Sequence, residues 1–182
     1  MKASTTRFGD LEVEERDIIL FPEGPLGFEN LTRFFIIDPG DDTFIMWMQS
    51  LDDSSVAFPI IETEVFCPNY GLKLLPSDLR SLDLENATVA RIYSILTIPK
   101  DVTQMSANLK APIVLNPREN MARQIVLQDS KLSVDYKVYK DLKAHIITTA
   151  NTHLKKTSKS QKAQKGSPPS HPTPKVDIQN AD

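Results

Sequence analysis

The sequence predicts an all-β domain, a barrel or sandwich of about eight or more short strands, followed by a helix and a basic tail. Short β-branched or alternating runs recur between turns rich in glycine and proline over the first ~135 residues. The period then changes, with Leu142, Ile146 and Ala150 four apart. Beyond residue 156, large apolar side chains almost vanish. At 182 residues and 40% hydrophobic composition, the chain has material for one domain with a substantial core.

Leu11 and Val13 alternate with Glu12 and Glu14, and residues 18–21 are apolar, so two strands are expected before the turn Pro22-Glu23-Gly24-Pro25-Leu26-Gly27. Residues 34–37 form the next strand, and Asp38-Pro39-Gly40-Asp41-Asp42 turns the chain. The nearly continuous apolar run at 44–48 is expected to be a strand buried on both faces, and 56–61 continues the pattern. Ser77 looks like the cap of a short helix near 78–84 that places Leu79 and Leu82 on one face. Residues 88–98, rich in β-branched side chains and closed by Pro99, are the clearest strand. Further strands are expected at 105–109, 113–115, 124–127 and 133–138, with a turn at Asn116-Pro117. The domain is therefore placed at 1–138, a C-terminal helix at 139–155, and a disordered basic, proline-rich tail at 156–182.

Charge divides along the same line. Residues 151–182 carry six lysines and two aspartates, so of the total of −3, residues 1–150 hold −7. Such a body repels phosphate backbones and attracts basic proteins. No direct nucleic-acid partner is expected. The start has no apolar stretch of a secretory signal, and no window is long enough to cross a bilayer as a helix. Cys67 has no second cysteine to pair with. A cytoplasmic protein is expected.

The residues for catalysis are sparse. His145 and His153 lie eight apart, His171 is in the tail, and none belongs to a tight metal-ligand pattern. Cys67 has no histidine nearby in sequence and reads as a small buried hydrophobe. The 24–27 segment lacks the lysine and hydroxyl of a phosphate loop. Glu12, Glu14, Glu15 and Asp17 lack the glycine-punctuated loop of a calcium site. Neither enzymatic activity nor a cofactor or metal is expected.

Arg7-Phe8-Gly9, Phe21-Pro22-Glu23-Gly24-Pro25-Leu26-Gly27-Phe28-Glu29 and Arg33-Phe34 resemble, in order, the opening of the FliW family. Met48-Gln49-Ser50, Phe66-Cys67-Pro68-Asn69-Tyr70, residues 108–116 and residues 124–130 resemble its later signatures. The resemblance spans residues 7–136 and leaves 139–182 outside it. It implies an antiparallel β-barrel-like fold and two competing partners, flagellin and the RNA-binding translational repressor CsrA. Secreted flagellin would free the factor to bind the repressor and relieve repression of flagellin synthesis. The acidic residues Glu23 and Glu29 are candidate contacts for a basic partner. Phe28, Met48, Phe66 and Tyr70 are candidate walls of a groove for an amphipathic segment of flagellin.

Overall fold

Side chains alternate across a strand, so a barrel strand flanked by further layers must be apolar on both faces, with each face meeting a different core. Several strands here do this. In the computed structural model, which describes residues 1–40 and 43–163, Phe34 points into the barrel and Phe35 out, Ile60 in and Ile61 out, and Ile113 and Leu115 flank an outward Val114.

The chain opens with a hairpin of β1 (Lys2–Thr5) and β2 (Gly9–Glu12). The strands β3 (Ile19–Leu20), β4 (Arg33–Ile37), β5 (Met46–Ser50), β6 (Ala57–Glu62) and β7 (Arg91–Thr97) pair successively and antiparallel. After β8 (Ser106–Ala107), β9 (Ile113–Asn116) pairs with the first half of β7, and β10 (Met121–Gln124) pairs with β9. A parallel contact of Met121 with Leu20 joins β10 to β3 and closes a seven-strand barrel. The second half of β7 pairs with β8, which pairs with β11 (Tyr136–Lys137).

The barrel interior is filled by Ile19, Phe21, Phe34, Met48, Ile60, Tyr93, Ile113, Leu115 and Ala122, with no room for a water between them. Three outer clusters cover its walls. The β1–β2 hairpin contributes Ala3 over Phe35, and Val13 just beyond it joins the same cluster. A segment including α1 (Pro76–Ser81) sets Leu82 and Leu84 on Val114, Ile125 and Leu127. The third joins Ile61, Phe66, Leu96, Met105 and Leu109 to Val138 and Leu142. Residues 1–146 form one compact unit.

The strands expected at 105–109 and 133–138 shrink to the short pairs β8 and β11, and other predicted elements are adjusted as follows. Phe44 adopts φ +62, so the strand expected at 44–48 begins at Met46. The run expected at 124–127 is paired as a ladder only at 121–124. Ile125 and Leu127 still donate to the carbonyls of Pro112 and Lys110. Proline has no N–H to return, and that of Lys110 is held by Asn108 Oδ1 at 3.0 Å. Ser77 lies inside α1 rather than capping it, and Asp78 accepts from the Leu75 N–H at 2.9 Å instead. Residues 87–89 are a 3-10 turn, so β7 starts at Arg91.

The helix α2 spans Tyr139–Ala163 and so passes the expected boundary at 155. Residues 156–163 contain lysine, glutamine and alanine and neither glycine nor proline, a composition that helix tolerates. The remainder of the expected tail, 164–182, lies outside the described residues, as do Asp41 and Asp42 of the predicted turn.

Candidate protein-binding surface

Glycine and proline set the form of the loop at residues 22–31. A side chain at Gly24 would overlap the backbone carbonyl oxygens of Phe28 and Leu31, so only glycine fits the tight return there. Gly24 N–H donates to Glu29 O (3.1 Å), Phe28 N–H to Pro25 O (2.7 Å) and Leu31 N–H to Phe28 O (2.9 Å). Gly27, at φ +81, turns its N–H to Glu29 Oε1 at 2.8 Å. That bond and one from the backbone N–H of Glu29 itself hold the Glu29 carboxyl below its ordinary pKa.

The loop is also tied to the barrel at several points. Leu26 N–H donates to the side-chain oxygen of Gln124 (2.9 Å), whose amide nitrogen donates in turn to Ala111 O (3.0 Å). Glu23 pairs with Arg123 at 3.5 Å. At the exit, Asp52 Oδ2 accepts from the N–H groups of Thr32 (2.7 Å) and Arg33 (2.8 Å). Pro25 is buried as the loop's own core.

Two apolar side chains remain outside. Leu26 is 56% exposed and Phe28 is 39% exposed, its ring edge-on to Phe58 at 5.1 Å. Glu23 and Glu29 are exposed in the same loop. The loop thus offers an apolar surface beside carboxylates, held by hydrogen bonds and a buried proline.

Of the predicted contact residues, Glu23, Phe28 and Glu29 come together here. Met48 does not reach a surface, which corrects its placement as a groove wall, and Phe66 is covered as well. Met48 lies in the barrel interior. Phe66 is 4% exposed and packs against the ring of Tyr136 at 5.9 Å. Tyr70 is half-buried, with its hydroxyl donating to Leu109 O. Burial, followed by the nearby Cys67, pushes the Tyr70 pKa up, and burial followed by Asp141 does the same to Cys67. Leu26, Asp52 and Gln124 were missed. Leu26 had a signal, because a large apolar residue between proline and glycine in a tight turn has little access to a core.

Among the described residues, no three His, Cys, Asp or Glu side chains gather as a metal site. Among the described residues, no helix is long and apolar enough to cross a membrane.

The family model described as FliW protein matches residues 2–138. The chain belongs to the FliW family. A flagellar assembly factor FliW of Bdellovibrio bacteriovorus is 39% identical over 158 residues, covering 87% of this chain and 90% of that one. One from Thermoanaerobacter pseudethanolicus is 35% identical over 144 residues, covering 79% and 96%. A crystal structure of the flagellar assembly factor FliW superposes with a TM-score of 0.72 at 27% identity, over 76% of this chain and 97% of that one. The FliW family is thus one of flagellar assembly factors, and the matched segment ends where β11 gives way to α2.

Proposed function

We propose that this chain is a non-catalytic, cytoplasmic regulator that binds flagellin and antagonises a CsrA-type repressor by partner switching, thereby coupling flagellin synthesis to export. Family membership supports the assembly role. The observation that carries the binding role is the loop at 22–31, where Leu26 and Phe28 stand exposed beside Glu23 and Glu29 on a hydrogen-bonded frame. A frame fixed before binding reduces the ordering cost of association. Exposed apolar anchors supply contact energy, and the −7 charge of residues 1–150 steers a basic partner inward. Antagonism further requires tighter binding to the RNA-incompetent repressor. A hundredfold loss of RNA affinity corresponds to about 2.7 kcal/mol of coupling, within reach of a modest interface.

The test is reconstitution. The purified chain should form stoichiometric complexes with flagellin and with the repressor, and added flagellin should release the repressor. Binding to neither would overturn the proposal. Binding to flagellin alone would reduce it to a secretion chaperone.

A further inference from the structure

We propose that the first two turns of α2 are a built-in strap, occupying in cis a groove that accepts an amphipathic helix and yielding it to the flagellin segment. The identity of that competitor rests on the function proposed above, whereas the strap rests on geometry alone. The groove lies on the outer wall of the barrel and includes Ile61, Phe66, Met105 and Leu109, with Tyr70 and Tyr136 at its margin. Into it α2 sets Leu142, 4% exposed, and the half-buried Ile146, one helical turn apart on the same face.

Leu142 N–H donates to Val138 O at 2.9 Å, and the Tyr136 hydroxyl donates to Asp141 Oδ2 at 2.8 Å. His145 meets the ring of Phe44 edge-on at 5.1 Å. An apolar pair spaced four residues apart is how an amphipathic helix enters a groove. Any such helix with similar spacing therefore competes on equal chemical terms. The family model ends at residue 138 and includes most of the groove, and the strap follows it directly in sequence. Phe66, a candidate groove wall, lies in the same buried cluster as Leu142 and Ile146 of the chain's own helix.

A device of this kind sets a threshold. Closed, it shields apolar surface and lowers apparent affinity by the fraction of time the groove is covered. Displaced, it leaves a helix-accepting face open to a client.

The strap is tested with a labelled synthetic peptide of residues 139–152, added in trans to the full chain. It should bind the double variant Leu142→Asp/Ile146→Asp at least tenfold more tightly than wild type, because only the variant leaves the groove vacant. Ile146→Asp alone is a milder opening should the double variant fold poorly, and Trp47 fluorescence checks that the barrel is intact. Alkylation of Cys67, the chain's single cysteine and partly buried in the same cluster, should accelerate in both variants. Equal peptide binding to wild type and to a folded variant, or binding to neither, overturns the strap. Flagellin should then displace the peptide and bind the opened variant at least tenfold more tightly than wild type. Weaker flagellin binding by the variant would make α2 part of the binding face and overturn the competition. Flagellin that binds neither form, while the peptide still distinguishes them, overturns the flagellin reading and the competition but leaves the strap standing.

Discussion

Asp52 binds Arg33 three ways. Its carboxylate accepts from the backbone N–H of Arg33 at 2.8 Å, from Nε at 2.7 Å, and pairs with the guanidinium at 2.7 Å. The Thr32 N–H adds a fourth bond at 2.7 Å. The hairpin turn after β5 thereby fixes the point where the candidate binding loop re-enters the barrel at β4.

The clamp should make stability depend on acid. Burial raises the Asp52 pKa, but the bonds from Thr32 and Arg33 and the guanidinium charge outweigh it, and the net value falls below the ordinary carboxylate. A carboxyl depressed on folding stabilises above its unfolded value, near 3.9, and the benefit is lost as pH falls through the folded value. Asp52→Asn should be less stable than wild type at pH 7, and the gap should close as pH falls below the ordinary carboxylate range. Asp52→Ala, which removes every acceptor, should cost about 1–2 kcal/mol at neutral pH. Urea unfolding across that range checks both. Parallel curves for wild type and Asp52→Asn would contradict the clamp.

The two outer glycines of Gly24-Pro25-Leu26-Gly27 should respond differently to alanine. At Gly24 the new methyl meets backbone oxygens on two sides, so the loop must shift, at about 3 kcal/mol. At Gly27 the space is open and only the left-handed backbone resists, at about 1 kcal/mol. Denaturant midpoints should rank wild type above Gly27→Ala above Gly24→Ala. Equal losses would mean that conformation, not close approach, governs both.

The legibility of this chain followed its chemistry. Strand β7 could be read because Ile92, Ile95 and Thr97 are β-branched and Pro99 stops the run soon after its end. Strand β1 could not, because Lys2-Ala3-Ser4-Thr5 buries only Ala3 and Thr5, small side chains that leave no hydrophobic alternation to notice. Barrel closure depends on a single parallel contact between Leu20 and Met121, a distant pairing with no local signature. At the site, the turn residues announced the loop. Which large apolar residues faced outward was hidden, since Phe28 and Met48 are both large and apolar and only tertiary placement separates them.

That separation predicts opposite phenotypes. Met48 is 1% exposed in a filled interior, so Met48→Ala should cost about 2–4 kcal/mol and leave affinity unchanged in the molecules that remain folded. Phe28 is 39% exposed and its ring meets Phe58 edge-on, so Phe28→Ala should cost less, about 1 kcal/mol of stability. If the loop binds a partner, Phe28→Ala should weaken that complex about tenfold or more. Calorimetric titration alongside thermal melts resolves the two. A Phe28→Ala protein with unaltered affinity for both partners would remove this loop from the interface.

The β1–β2 hairpin tests how a small element is held on a barrel. Its turn places the Arg7 guanidinium 3.8 Å over the Trp47 ring, and Phe8 meets that ring edge-on at 5.7 Å. The residues joining β1 to β2 therefore cover an aromatic on the outer face of β5, and one backbone bond, Thr6 N–H to Ser54 O at 2.9 Å, reinforces the contact. Trp47 is the chain's only tryptophan, so its emission reports this contact without labelling. Arg7→Ala should shift the emission to longer wavelength as water reaches the indole, at a cost of about 0.5–1 kcal/mol. Arg7→Lys should recover only part of the effect, because an ammonium carries the charge without the planar stacking surface. An unchanged spectrum in Arg7→Ala would mean that Phe8 and the underlying Ala3–Phe35 packing hold the hairpin unaided.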